Sequence, residues 1–98
     1  MAPEQEDAPA ASPAPHDHVI FTDLDDEEGV LVDLNSKQYY RLNANACFIW
    51  RGLAQHAPVS QIAREMTAAY DVTLEHAQSS IDAAIGDFIA LDLVKPAR

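Results

Sequence analysis

The sequence has few basic residues, a single cysteine and no long hydrophobic run. Six Lys and Arg stand against sixteen Asp and Glu, which gives a net charge of −10 in 98 residues. Because such a surface repels phosphate, nucleic-acid binding is disfavoured. One cysteine rules out an internal disulfide, and the missing apolar run argues against a membrane helix or a signal peptide. We therefore expect a soluble, cytoplasmic protein.

Signatures of catalysis and of metal binding are also missing. No glycine-rich phosphate loop or Ser-His-Asp pattern is present. Cys47 falls inside a predicted helix, where a buried, inert thiol is expected. His16 and His18 form a His-x-His pair, but no third or fourth ligand follows at zinc spacing. The sequence predicts no enzyme activity, no cofactor and no metal.

The first 17 residues differ in composition from the rest. They hold four prolines and four acids, with no Lys or Arg. Such a segment buries too little apolar surface to offset the entropy of ordering it. We predict a disordered acidic arm over residues 1–17 and a folded domain over residues 18–98.

Alternating apolar residues then predict three short strands. The last two flank Asn35-Ser36, where Asn35 tolerates the positive φ of a two-residue hairpin loop. This loop places Leu31 opposite Tyr40 and Val32 opposite Tyr39. The charged stretch 23–29 is predicted to be a solvated connection that ends at Gly29. The predicted strands cover residues 18–22, 30–34 and 37–42.

From Asn43 the apolar residues repeat with the helical period. Asn43 and Thr73 are expected to cap the first and third helices, and Pro96 is expected to end the third. The predicted helices cover residues 44–54, 59–69 and 74–92. The fold class is therefore α+β, winged-helix-like, with a three-stranded antiparallel sheet packed with three helices.

Three segments carry a resemblance to a known family. They are "GVLVDLNSKQYYRLN" with the "IW" of the first helix, "PVSQIAREMTAAYDVT", and the long amphipathic helix that follows. Their order and spacing over residues 18–94 resemble the PqqD family, whose members are recognition elements for ribosomally synthesised precursor peptides. The resemblance implies that a leader peptide lies along residues 37–42 as an extra strand, beside the third helix. It also implies transfer of the peptide to a radical SAM enzyme, a leader protease or a cyclase.

The residues themselves favour a peptide site at the third strand. A strand with one neighbour leaves backbone groups unpaired, and residues 37–42 contain no proline to block the edge. Lys37 and Arg41, two of the six cations, are expected on one face of this strand and could pair with acids in a leader. In isolation, such charges on a strand are more often solvated than bound to a ligand. The candidate residues on this strand are Lys37, Gln38, Tyr39, Tyr40 and Arg41.

The third helix is predicted to form the opposite wall. Its apolar stripe widens on one flank, which is the candidate groove, although simple burial of Ile89 is also possible. Gly86 either marks a close neighbour or is a tolerated surface glycine. The candidate residues on this helix are Gln78, Asp82, Ile85 and Ile89.

Other functions remain open at this point. The same edge could dock a folded enzyme, as in a scaffolding subunit, or could pair with a second copy to form a homodimer. A winged-helix DNA regulator is disfavoured because the third helix has four acids and no Lys or Arg.

Overall fold

The computed structural model describes residues 13–25 and 27–95, which form five strands and three helices. The strands are β1 (Ala14–Pro15), β2 (Val19–Asp25), β3 (Glu28–Asp33), β4 (Gln38–Leu42) and β5 (Val94–Lys95). The helices are α1 (Ala44–Ala54), α2 (Val59–Tyr70) and α3 (Leu74–Ala90). The α+β class, with three helices and a three-stranded antiparallel sheet, is confirmed.

The central sheet has the order β2-β3-β4, with both neighbouring pairs antiparallel. Leu31 lies opposite Tyr40, and Val32 lies opposite Tyr39, so the predicted hairpin register is confirmed. Since side chains alternate between the faces of a sheet, the buried Leu31 and Leu42 share the face toward the helices. Tyr39 belongs to the other face, which we call the outer face.

The hairpin loop differs from the prediction. It spans four residues, 34–37, and the positive φ of 64° falls on Lys37 rather than on Asn35. The buried Asp33 holds the loop, because its Oδ1 accepts hydrogen bonds from the backbone N–H groups of Asn35 (2.9 Å) and Ser36 (3.3 Å). A side chain that bonds the backbone ahead of it supplies the turn geometry that the sequence pattern assigned to Asn35.

The stretch 23–29 is largely exposed, as predicted, but most of it belongs to two strands rather than to a connection. β2 runs to Asp25 and β3 begins at Glu28. Gly29 is a buried residue of β3, paired with Asp23 on one side and Leu42 on the other. A Cβ at this position would lie 2.6 Å from the Phe21 ring, so the glycine permits close packing of the ring against the strand.

The predicted helix starts are confirmed. Asn43 Oδ1 accepts from the Ala46 N–H at 2.9 Å, and Thr73 Oγ1 accepts from the His76 N–H at 3.0 Å. These bonds satisfy N–H groups that have no partner inside the helix.

The end of α3 corrects the prediction that Pro96 stops this helix. The helix ends at Ala90, and Asp92 turns the chain with a φ of 60°. The Leu93 N–H bonds to the Phe88 carbonyl, and the Asp92 N–H bonds to the Ile89 carbonyl. This pair of bonds is the Schellman pattern, which ends the helix. The chain then forms β5 before it reaches Pro96.

The core lies between the inner face of the sheet and the three helices. Trp50 of α1 packs edge-on against Phe88 of α3, with ring centroids 5.2 Å apart. Such a geometry adds to the stabilisation that comes from burying two large rings. The largest fully buried side chains are Leu31, Cys47, Ile49, Leu53, Ile62, Met66, Ile81, Leu93 and Val94.

The N-terminal segment folds further than predicted. β1 pairs with β5 as a separate two-stranded sheet, Pro13 is buried, and the His16 N–H bonds to the Leu93 carbonyl at 3.1 Å. The predicted boundary at residue 18 is therefore wrong, because residues 13–17 are held against the C-terminal strand. The rest of the predicted arm, residues 1–12, lies outside the described residues.

Candidate functional site

The outer edge of β4 is the first component of the candidate site. β4 pairs with β3 on one side, and the two terminal strands pair with each other rather than with β4. Within residues 13–25 and 27–95, no strand covers the other side of β4. This edge therefore has the capacity to accept another extended chain.

The hydrogen-bond pattern shows which backbone groups face this edge. The Leu34 N–H bonds to the His18 carbonyl at 2.8 Å, toward β2. Because the direction alternates along a strand, Val32 also bonds toward β2, and Leu31 bonds to Tyr40. On β4 the backbone N–H and C=O groups of Tyr39 and Arg41 then point away from the sheet.

A cleft of about 410 Å³ lies between β4 and the C-terminal half of α3. Eight of its eleven lining residues are apolar or aromatic, and the other three are Arg41, Asn43 and Asp87. An apolar cleft beside an open strand edge fits a peptide that binds through its backbone and inserts alternate side chains. The other lining residues are Tyr39, Tyr40, Leu42, Ala46, Ala84, Phe88, Leu91 and Leu93.

The candidate residues on β4 are partly brought together. Tyr39, Tyr40 and Arg41 line the cleft. Gln38 is exposed and does not line it, and Lys37 lies in the hairpin loop with positive φ rather than in the strand. The expectation that Lys37 and Arg41 share a strand face is therefore wrong.

The candidate residues on α3 lie on a different flank of the helix from the one that lines the cleft. The structure places Ala84, Asp87, Phe88 and Leu91 on the cleft, and none of the four predicted residues lines it. At about 100° per residue, the two sets are centred roughly 140° apart around the helix. Ile85 is half-buried against the core, while the other three are exposed. The predicted residues that lie outside the cleft lining are Gln78, Asp82, Ile85 and Ile89.

The sequence held a partial signal for the residues that were missed. Ala84, Phe88 and Leu91 belong to the predicted apolar stripe of the third helix. Their side of the stripe was missed because an apolar stripe has two flanks, and the helical period does not say which one faces β4. Ala46 and Leu93 come from other elements and had no local signal.

Gly86 does not mark a close neighbour. It is exposed, and a Cβ built there would meet no atom within 4 Å. The prediction of a close approach at this position is wrong for the described part of the chain, which is consistent with the alternative of a tolerated surface glycine.

The two charged residues that line the cleft differ in their ion pairing. Arg41 is paired with Glu28 on the neighbouring strand in an exposed ion pair, which partly offsets its charge. Asp87 forms no ion pair among the described residues. The free charge on the walls of the cleft is therefore negative.

Cys47 is buried beneath the β4 end of the sheet. Its Sγ lies 3.6 Å from the Leu42 carbonyl oxygen, and burial raises the pKa of its thiol above the ordinary value. A raised pKa reduces the thiolate fraction, so this cysteine is a poor nucleophile.

The two histidines near the N-terminus stack on each other rather than forming a ligand set. Their ring centroids are 4.8 Å apart, His16 Nε2 lies 3.3 Å from Asp92 Oδ1, and His18 Nε2 lies 3.7 Å from Asp33 Oδ1. Across the residues that the structure describes, no group of three or more His, Cys, Asp or Glu is arranged to hold a metal ion. The described helices also include none that is both long and apolar enough to cross a membrane.

The outer face of the central sheet is a second exposed feature. Ile20, Val32 and Tyr39 form one row across the three strands, and Tyr39 is 73% exposed. Leu24 and Leu34 are also exposed, at 53% and 46%. The row meets the cleft at Tyr39, which lines it.

Two solved structures share this fold. One is TbiB1 in complex with the TbiA(beta) leader peptide, at 23% identity and a TM-score of 0.77, with 83% of this chain and 93% of that chain covered. The other is a lasso peptide synthetase B1 complexed with the leader peptide, at 23% identity and a TM-score of 0.79, with 88% and 100% covered. No curated protein matches the sequence.

The family comparison covers most of the folded part of the chain. The model of "Coenzyme PQQ synthesis protein D (PqqD)" matches residues 28–94, which include β3, β4, all three helices and every residue that lines the cleft. This protein therefore belongs to the PqqD family, as its hairpin and helix motifs indicated.

Proposed function

We propose that this protein is a non-catalytic module that binds the leader segment of a ribosomally synthesised precursor peptide. The leader adds to β4 as a fourth strand, and the protein presents it to a maturation enzyme. The observation that carries this proposal is the open β4 edge beside an apolar cleft. The two solved structures of the same fold, each in complex with a leader peptide, support it.

The geometry suits an extended ligand. The backbone groups of Tyr39 and Arg41 offer main-chain hydrogen bonds at the edge. Every second side chain of an added strand would point into the cleft, where Leu42 of β4, Phe88 of α3 and Leu91 just after α3 provide apolar contacts. Main-chain bonds supply affinity that depends little on sequence, and the apolar contacts supply selectivity.

The absence of catalysis is part of the proposal. The cysteine is buried with a raised pKa, and the charged residues of the cleft are an arginine already paired with Glu28 and one aspartate. This arrangement supplies neither a nucleophile with a base nor a metal centre within the described residues. We propose that a partner performs the chemistry: a radical SAM enzyme, a leader protease or a cyclase, in the cytoplasm.

The test is a titration with synthetic peptides of roughly 15 to 25 residues, taken from short reading frames encoded beside this gene. We expect 1:1 binding by calorimetry, and slower hydrogen exchange at the Tyr39 and Arg41 amides in the complex. Those two amides report strand addition, because a peptide held only by side chains would leave them exchanging at the same rate. The absence of binding by every such peptide would contradict the proposal.

A second candidate is a docking subunit that binds a folded enzyme and no peptide. The exposed row Ile20, Val32 and Tyr39 favours it, since contiguous apolar surface on a small protein marks interaction sites. A variant with Ile20→Asp separates the two functions. If the Ile20→Asp variant loses enzyme binding and keeps peptide binding, the outer face binds the enzyme. If the unaltered protein binds the enzyme but no peptide, it is a docking subunit.

A further inference from the structure

We propose that Asp87 selects leaders that carry Lys or Arg two residues away from the apolar side chain inserted in the cleft. This inference rests on the proposed function and deepens it by naming the charge class of the ligand. It reverses the expectation from the sequence, in which Lys37 and Arg41 paired with acids of the leader.

The first step of the argument is the balance of charge at the site. Arg41 is engaged by Glu28, and Lys37 lies outside the cleft in the hairpin loop. Asp87 lines the cleft and has no ion pair among the described residues. A peptide in the cleft therefore meets an unpaired carboxylate and no unpaired cation.

The second step is the position of Asp87 within α3. It lies in the last turn of this helix, a turn with no basic residue. A carboxylate there is unfavourable, because the C-terminal end of a helix carries partial negative charge. An incoming cation would interact favourably with both the side chain and the helix end.

The third step is the spacing of the leader residues. Asp87 and Leu91 are one helical turn apart, so their Cβ atoms lie about 6 Å from each other. Residues i and i+2 of a strand lie on the same face, about 6.6 Å apart. When one leader side chain packs on Leu91, its neighbour two positions away on the same face comes within reach of Asp87, and Lys and Arg are long enough to cover the remaining offset.

The test compares two matched charge reversals on α3. Asp87→Lys and Asp82→Lys each change the net charge by two, and both residues are exposed, but only Asp87 lines the cleft. Each protein is titrated with two synthetic 20-residue leader peptides. The peptides differ only by Lys or Glu at the position two residues from the apolar side chain, which an alanine scan of the leader identifies first.

We expect the unaltered protein to prefer the Lys peptide by roughly three- to tenfold at low salt. Asp87→Lys should reverse this preference. Asp82→Lys lies outside the cleft lining and should reduce the preference only slightly, through screened long-range interaction. An Asp87→Asn variant, which keeps the size of the side chain, should bind both peptides about equally. Raising the salt should reduce the preference of the unaltered protein.

The outcomes separate this inference from the proposed function. Equal binding of both peptides by the unaltered protein overturns the role of Asp87 and leaves leader binding intact. The role of Asp87 is also overturned if Asp87→Lys and Asp82→Lys change the peptide preference by the same amount. If neither peptide binds, both the inference and the proposed function fail.

Discussion

Val32 and Tyr39 lie directly opposite each other in β3 and β4 as a non-hydrogen-bonded pair of the antiparallel ladder. The Tyr39 backbone is therefore directed to the open edge, and its side chain is 73% exposed on the outer face. One residue thus touches both the proposed peptide edge and the apolar row behind it.

Replacing Tyr39 with proline should abolish leader binding and leave the helices intact. Proline removes the outward N–H, and an edge strand tolerates it where the N–H faces solvent. Calorimetry measures the binding, and far-ultraviolet circular dichroism measures the helices. The matched control is Tyr39→Ala, which keeps the N–H and should retain most of the affinity. Unaltered affinity in the proline variant would mean that β4 is not the site.

Leu91→Asp should weaken leader binding by more than about 1 kcal/mol, because Leu91 lines the cleft and a peptide packed on this position would remove the new carboxylate from water. Ile89→Asp is the matched control. Ile89 is equally exposed, 41% against 43%, lies two residues away in the chain and does not line the cleft. Its affinity should stay close to that of the unaltered protein. A larger loss from Ile89→Asp would return the groove to the flank that the sequence predicted.

Gly29→Ala should lower the free energy of unfolding by about 1 to 3 kcal/mol, as overpacking of a filled core does. The new methyl would lie 2.6 Å from the Phe21 ring and 2.9 Å from Cys47 Sγ. The comparison is Gly86→Ala, where nothing lies within 4 Å and helix propensity should stabilise the protein by roughly 0.5 to 1 kcal/mol. Urea unfolding measures both. If both variants change the free energy of unfolding by the same amount, close packing at Gly29 does not destabilise the Gly29→Ala protein.

The stability of the hairpin should depend on the charge of Asp33. Burial acts to raise the pKa of this carboxyl, but hydrogen bonds from Ser36 and Asn35 and the nearby His18 outweigh it, so the pKa is lowered from its ordinary value of 3.8. A lowered pKa means that the folded state favours the carboxylate. The resulting stabilisation is present above the unfolded pKa and is lost as the pH falls through the lowered pKa.

Urea unfolding at a series of acidic pH values tests this dependence. Asp33→Asn should lower the unfolding midpoint at neutral pH and reduce the fall in stability on acidification. Asp82→Asn, an exposed residue of α3 outside the hairpin, should leave that fall nearly unchanged. If the stability of the unaltered protein and of Asp33→Asn depends on pH in the same way, Asp33 does not contribute to the loss of stability in acid.

Most of the local structure could be predicted because its causes are local. Asn43 and Thr73 cap helices through side chains that bond N–H groups three residues ahead. The register of β3 and β4 follows from the centre of their connection, which lies between Asn35 and Ser36 in both the predicted and the observed loop, so Leu31 lies opposite Tyr40 as expected. The family followed from motifs within these same elements.

Elsewhere, residues distant in the chain decided the outcome. Residues 13–17 have a composition typical of disorder, yet β1 is held by pairing with β5, about 80 residues later in the chain. α3 ends at Ala90 because the chain turns there into β5, well before Pro96.

By itself, the sequence determined the three helices, the three strands of the central sheet, their order and the hairpin register, since periodicity, caps and the position of a turn act over a few residues. Only the tertiary structure decided which flank of α3 faces the open edge of β4. Either flank of the stripe satisfies the helical period, and it is the packing of Phe88 on Trp50 and the burial of Ile81 that set the rotation of the helix. That rotation places Asp87 and Leu91, rather than Ile85 and Ile89, beside β4.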